Sequence, residues 1–137
     1  MRFMIIVKAT PATEAGRMPG ESMLKAMGAF HEELVRAGVL LDANGLKPTS
    51  KGFRVQYSGG KPVVIDGPFA EAKELIAGYT LIQVNSREEA IEWAKRFPNP
   101  QRDEDCSVEV RQLYELDDFG PSAAVEQMRE EVYAKIK

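Results

Sequence analysis

Apolar residues recur along this chain with two periods, and the changes between them mark its elements. Residues 3–9, FMIIVKA, form an unbroken run rich in β-branched and aromatic types, which predicts a buried strand. Residues 10–22, TPATEAGRMPGES, carry two prolines and two glycines and read as a loop. Met23, Met27, Phe30 and Leu34 then recur at steps of four, three and four, the spacing of one helical face, and predict a helix over 21–37 that Gly38 terminates. VLLDANGL predicts the next strand. In FRVQYSGGKPVVID, two strand-like runs flank Ser58, Gly59 and Gly60, the composition of a tight hairpin. A phosphate loop needs its first glycine earlier and a Ser or Thr after the lysine, so GGK is read as the turn. AEAKEL, behind Pro68, predicts a short helix, and GYTLIQVN another strand. Ser86 and Glu89 have capping-box spacing at the head of a helix whose inner side is Ala90, Ile91, Trp93, Ala94 and Phe97 and which Pro98 ends. CSVEVRQLYEL closes the pattern as a strand with Val108, Val110 and Leu113 inward. SAAVEQMREEVYAKIK predicts an amphipathic helix through Val125, Met128, Val132 and Ile136.

Without the hairpin and the tail, the order is strand, helix, strand, strand, helix, strand. That is the α+β, ferredoxin-like βαββαβ arrangement, with helices on one face of an antiparallel sheet and an inserted β-hairpin. Residues 1–116 form this domain, and 117–137 add the C-terminal helix. Too few apolar residues remain to cover the second sheet face, so a homodimer joined through sheet faces is expected.

The 137 residues suit a single core. Apolar content of 44% and charged content of 28% are ordinary for a globular chain and argue against disorder. The net charge of −3 is concentrated in residues 114–137, where Glu115, Asp117, Asp118, Glu126, Glu130 and Glu131 face three basic residues. The rest is balanced and offers no basic face to phosphate, so nucleic acid is not an expected partner. Cys106 is the only cysteine, which excludes an intrachain disulfide and a cysteine-based metal cluster. The opening apolar run breaks at Lys8, too soon for a signal peptide, and nothing approaches a membrane span of roughly 20 apolar residues. A cytoplasmic protein with no membrane partner is the expectation.

Few residues are placed for chemistry. His31, the only histidine, lies four residues after Met27 and three before Leu34, at the border of the helix's apolar stripe and directed to the sheet edge. A border histidine ordinarily packs and hydrogen-bonds, yet imidazole is also the side chain that exchanges protons near neutral pH. Asp66 ends the VVID strand before Gly67 and Pro68. Its ordinary role is to accept backbone N–H bonds at a turn, while the Gly-Pro pair redirects the chain. Phe69 is read as a core plug or a cavity wall. Glu71, Lys73 and Glu74 read as a solvated face beside that turn. Cys106 sits in a predicted strand without an identifiable partner, no serine has a nucleophile-elbow setting, and no metal-binding spacing accompanies His31. No cofactor and no metal are expected.

Taken as an ordered set, MRFMIIVKA, FHEELVRAGVLL, NGLKPTSKG, DGPFAEAKELIAGYTLIQVNSREEAIEWAKRFP and VEVRQLYEL resemble the YCII-related family, in its DGPF-domain branch, over residues 1–116. The resemblance implies a dimeric α+β barrel built from ferredoxin-like subunits. It also implies a histidine–aspartate pair as the active site, which falls on His31 and Asp66. Gly67 and Pro68 are read as the geometry that presents Asp66, and with Phe69 they are the candidate substrate-binding residues. A dechlorinating enzyme belongs to the wider group, and some relatives are linked to sigma factors. If Asp66 accepted a hydrogen bond from one imidazole nitrogen, it would fix the tautomer and favour the protonated ring, leaving the other nitrogen for a bound small molecule. This suits proton abstraction, isomerisation or elimination. The alternative is a non-catalytic ligand-sensing or protein-binding module connected to transcriptional regulation, with the acidic C-terminal helix as its distinguishing part.

Overall fold

The computed structural model describes residues 1–71, 74–100 and 106–136. Strand β1 (Arg2–Lys8) is followed by a single helical turn, α1 (Pro11–Glu14), and a long helix, α2 (Glu21–Arg36). Next come β2 (Leu40–Gly45), a 3-10 turn (Thr49–Lys51), and the strands β3 (Phe53–Ser58) and β4 (Lys61–Asp66). Strand β5 (Ile76–Gln83), helix α3 (Arg87–Lys95) and strand β6 (Val108–Gln112) complete the main body, and α4 (Ala123–Glu131) lies beyond it. The four-stranded sheet runs β2-β5-β1-β6 with every pairing antiparallel, and β3-β4 forms a separate two-stranded sheet. This is the mixed α+β arrangement the periodicity predicts.

Alternation along the strands divides the sheet into two faces. Phe3 pairs with Ile82, and Ile5 lies between Thr80 and Val110, so these side chains share the helix-covered face. Phe3, Ile5, Ile82, Phe30, Leu34 and Ala90 belong to one buried cluster, with Val108 and Val110 packed against it. Full burial of a residue such as Ile5 or Leu34 contributes about 1.5–3 kcal/mol. Ile6, on the opposite face, is also buried, so that face is partly covered within one chain.

Local chemistry sets the boundaries. Gly38 (φ 74°) follows α2, its N–H bonds the Val35 carbonyl, and the Val39 N–H bonds that of Leu34, the paired bonds of a Schellman stop. Gly59 and Gly60, both at positive φ, turn β3 into β4 as a two-residue hairpin loop requires. Ser86 Oγ accepts the Glu89 N–H at 3.1 Å as expected of the cap. The Glu89 carboxylate, however, bonds the N–H of Asn85 at 3.0 Å rather than that of Ser86, one residue outside the expected box.

Two expectations are corrected, and the hairpin's position is a further finding. The loop at residues 10–22 contains α1, because Thr10 and Thr13 exchange side-chain and backbone hydrogen bonds and Pro11 starts the turn. The C-terminal helix stops at Glu131 and a 3-10 turn (Tyr133–Lys135) follows, so Val132 and Ile136 do not continue its stripe. Of the four residues on that stripe, only Val125 is buried. The hairpin is not packed into the core: all twelve residues of β3 and β4 are exposed. The short helix expected over residues 70–75 falls partly on 72 and 73, which lie outside the described residues.

Candidate functional site

Helix α2 lies on the sheet through Phe30 and Leu34, and this fixes the direction of the residue between their turns. The Phe30 ring meets Phe97 edge-on at 5.2 Å and His31 at 5.6 Å. The half-buried His31 therefore faces the sheet, and its Nε2 is 2.9 Å from Thr80 Oγ1. Thr80 is on β5, an inner strand flanked by β2 and β1, so the imidazole reaches the middle of the sheet rather than its edge. Thr80 is only 1% exposed, and His31 is its hydroxyl's hydrogen-bond partner among the described residues. A buried hydroxyl held in this way restricts the ring's orientation and couples its tautomer to the Thr80 proton. Nδ1 makes no hydrogen bond among the described residues, which leaves one nitrogen able to give or accept a proton.

Asp66 is placed by different parts. It ends β4 opposite Phe53 and is exposed. The turn that follows is tightly held. The Gly67 N–H bonds the Gly52 carbonyl at 3.0 Å, and the Gly67–Pro68 peptide is cis. A Cβ on Gly67 would lie 1.9 Å from the Thr49 carbonyl oxygen, so the backbone approach itself requires glycine. Thr49 Oγ1 accepts the Phe69 N–H at 3.0 Å and donates to the Glu14 carboxylate, which also takes the Thr49 N–H at 3.1 Å. The Arg54 guanidinium stacks over the Phe69 ring at 3.7 Å. Phe69 is thus half-buried under a cation, neither a core plug nor a bare cavity wall.

The candidate residues fall into two groups. Gly67, Pro68 and Phe69 carry Asp66 on a turn anchored by Glu14 and Thr49, while His31 is anchored to Thr80. No hydrogen bond joins His31 to Asp66 among the described residues. Sequence reasoning missed Glu14, Thr49 and Thr80. Thr80 had a usable signal, a lone polar residue at an inward position of a strand. Glu14 had none, because its contact with Thr49 spans 35 residues.

Elsewhere, a groove of about 290 Å³ opens between α3 and the β1–β6 side of the sheet. Its floor includes Phe3, Ile91, Val108 and Val110, Arg87 and Lys95 also line it, and His31 and Asp66 do not. Cys106 is exposed and donates to Asn99 Oδ1. Among the described residues no group of three or more His, Cys, Asp or Glu side chains is placed to hold a metal ion. No described helix is long and apolar enough to cross a membrane. Glu71 and Glu74 are exposed near the turn, and Lys73 lies outside the described residues.

Comparisons with known proteins add a family. The profile described as the YCII-related domain matches residues 1–115. An uncharacterized protein of Rhizobium meliloti (strain 1021) is 36% identical over 93 residues, covering 68% of this chain and 74% of that one. Among solved structures, the chain is similar to 5-chloro-2-hydroxyhydroquinone dehydrochlorinase from Burkholderia phenoliruptrix AC1100, determined with 2,5-dihydroxybenzoquinone. That likeness has a TM-score of 0.45 at 14% identity and covers 83% of this chain and 94% of the other.

Proposed function

The chain belongs to the YCII-related domain family, and from that premise we propose that it is a small cytoplasmic homodimeric enzyme of the DGPF-domain branch. On this reading His31 performs acid–base chemistry on a small organic substrate, Asp66 is its carboxylate partner, and two subunits complete an α+β barrel.

The supporting observation is the 2.9 Å bond between His31 Nε2 and the buried Thr80 hydroxyl. A border histidine ordinarily packs and hydrogen-bonds, and this one does so through Nε2 alone. Nδ1, without a hydrogen bond among the described residues, is the nitrogen left for a ligand. A general base needs that division of labour: one nitrogen held for orientation, the other within reach of a substrate proton. The Asp66 carboxylate joins the ring when a ligand or a second subunit closes the space between them.

His31→Ala and Asp66→Asn test the reading together. Both variants should unfold at nearly the wild-type denaturant midpoint and lose the binding of any ligand that shifts the His31 ring resonances of the wild type in a small-molecule screen. The ring's ¹⁵N resonances should also titrate along a different curve in Asp66→Asn. An unchanged curve would dissolve the pair, and collapse of the fold in either variant would make the residue structural.

A second reading, a ligand-sensing module without turnover, is favoured by the groove beneath α3. An apolar floor with Arg87 and Lys95 beside it suits an apolar carboxylate. Octanoate and benzoate titrated against the backbone amides of α3 and β6 test it, and resonances that do not move in either titration would remove it.

A further inference from the structure

The β3–β4 hairpin is built as though one of its faces were meant to be covered. Side chains on directly opposed residues point to the same face, and the face alternates along each strand. The register pairs Phe53 with Asp66, Val55 with Val64 and Tyr57 with Pro62. These six share a face, and five of them are apolar. The opposite face takes Arg54, Gln56, Ser58 and Lys61, with Ile65 and Val63 between them. This is the alternation of a sheet with one wet and one packed side. Yet the apolar side is open in the chain: Phe53 and Val64 are each 63% exposed, Tyr57 is 78% exposed and Val55, between them, 42%.

We propose that this face is a contact surface for a second copy of the chain, so that the two hairpins pack face to face. A two-stranded hairpin alone is marginal in water, and such an apolar stripe, on the order of 300–400 Å², is at the limit of what a soluble monomer leaves open. It amounts to roughly half of the ~800 Å² each partner contributes to a standard interface, so a second area of the subunit must join it.

The pattern selects a copy of itself as occupant. The face has one charged group, at its base, and no cation, so neither phosphate nor an acidic peptide finds a partner there. Two such faces related by a two-fold axis oppose their central valines and place the Tyr57 end of one against the Phe53 end of the other, a self-complementary match. Asp66 shares the face with Phe53 at its very end, so it lies at the rim of the contact, where its carboxylate keeps water. The inference rests on the homodimer reading and adds the surface.

Sedimentation velocity of the full chain and of the double variant Val55→Asp/Val64→Asp tests it, with circular dichroism to confirm the core. The wild type should be a dimer, and two carboxylates in the apolar contact should weaken it by at least about 100-fold. A folded double variant that dimerises as tightly as the wild type overturns the hairpin contact while leaving a dimer through another face. A monomeric wild type overturns both. Should the double variant not fold, Val55→Cys in a Cys106→Ser background supplies the readout: mild oxidation should give a covalent dimer on a non-reducing gel, and its absence counts against the contact. Neither result bears on His31, whose ring resonances judge the acid–base reading separately.

Discussion

Thr80 offers the sharpest test of how His31 is held, because two small changes there both cost stability and act on the ring differently. The Thr80 side chain is 1% exposed, with a hydroxyl bonded to His31 and a methyl packed in the core layer. Thr80→Val keeps the shape and removes the hydroxyl. A hydrogen bond of about 1 kcal/mol is lost, and Nε2 is left half-buried without its partner, a further penalty of about 1–3 kcal/mol. Against this stands a gain of about 0.8 kcal/mol for an added buried methyl. The net expectation is a loss of about 1–3 kcal/mol. Thr80→Ser keeps the hydroxyl and deletes one methyl from a closely packed site, a loss of about 1 kcal/mol. Denaturant unfolding should therefore show a loss in both variants, at least as large in the Val variant. Ring ¹⁵N spectra of His31 should separate them: the Ser variant keeps the wild-type tautomer, and the Val variant shows a mixture. If the Val variant retains the wild-type ring spectrum, Thr80 does not orient the imidazole. If the Ser variant changes it equally, packing rather than the hydroxyl is responsible.

Two glycines predict different kinds of damage. Gly38→Ala meets open space and acts only through its positive φ, so it should destabilise the protein by about 1–2 kcal/mol with wild-type hydrogen exchange around Asp66. Gly67→Ala drives a methyl into the Thr49 carbonyl. It should loosen the turn by about 3 kcal/mol, read as faster exchange of the Gly67 and Phe69 amides while the four-stranded sheet stays protected. Glu115→Gln removes the partner of Arg2, which is bonded at 2.9 Å with side chains 31% and 44% exposed, and should lower stability by about 0.5 kcal/mol. The Glu115 hydrogen bond and charge hold the Arg2 pKa above the ordinary arginine value, with Tyr133 adding a smaller push. A base whose folded-state pKa is raised contributes stability that is present below its unfolded pKa and lost as pH rises through the folded one. The Glu115→Gln loss in denaturant midpoint should therefore be the same at pH 6 and pH 9, and a loss confined to one of them would disprove the assignment.

The strands, α2, α3 and the hairpin were legible because each rests on a local signal: the period of Met27, Phe30 and Leu34, the two glycines of the turn, the Ser86 cap. Gly38 was legible for the same reason, since a helix stop is decided within five residues. The failures share a cause. Helix α1 depends on Thr10 and Thr13 capping each other, and two prolines nearby masked that exchange. The end of α4 has no glycine or proline to mark it, so the apolar spacing of Val132 and Ile136 carried the predicted helix too far. That the hairpin stands clear of the core could not be read at all, because Phe53, Val55 and Val64 have the same pattern whether a core or a second molecule covers them.

The same distinction governs the candidate site. DGPF announces a turn, and the turn is there. But the residues that hold it, Glu14 and Thr49, come from parts of the chain far apart in sequence, and Asp66 itself is exposed at the end of β4. His31 is fixed by Thr80 in a different sheet. His31 and the turn beside Asp66 therefore have separate anchors, and among the described residues no hydrogen bond connects the two side chains. On the proposed acid–base reading the two are brought together by a ligand or another subunit. Within the chain the carboxylate that looks most chemical in the sequence is exposed, whereas the threonine that looks most ordinary holds the imidazole through a buried hydroxyl.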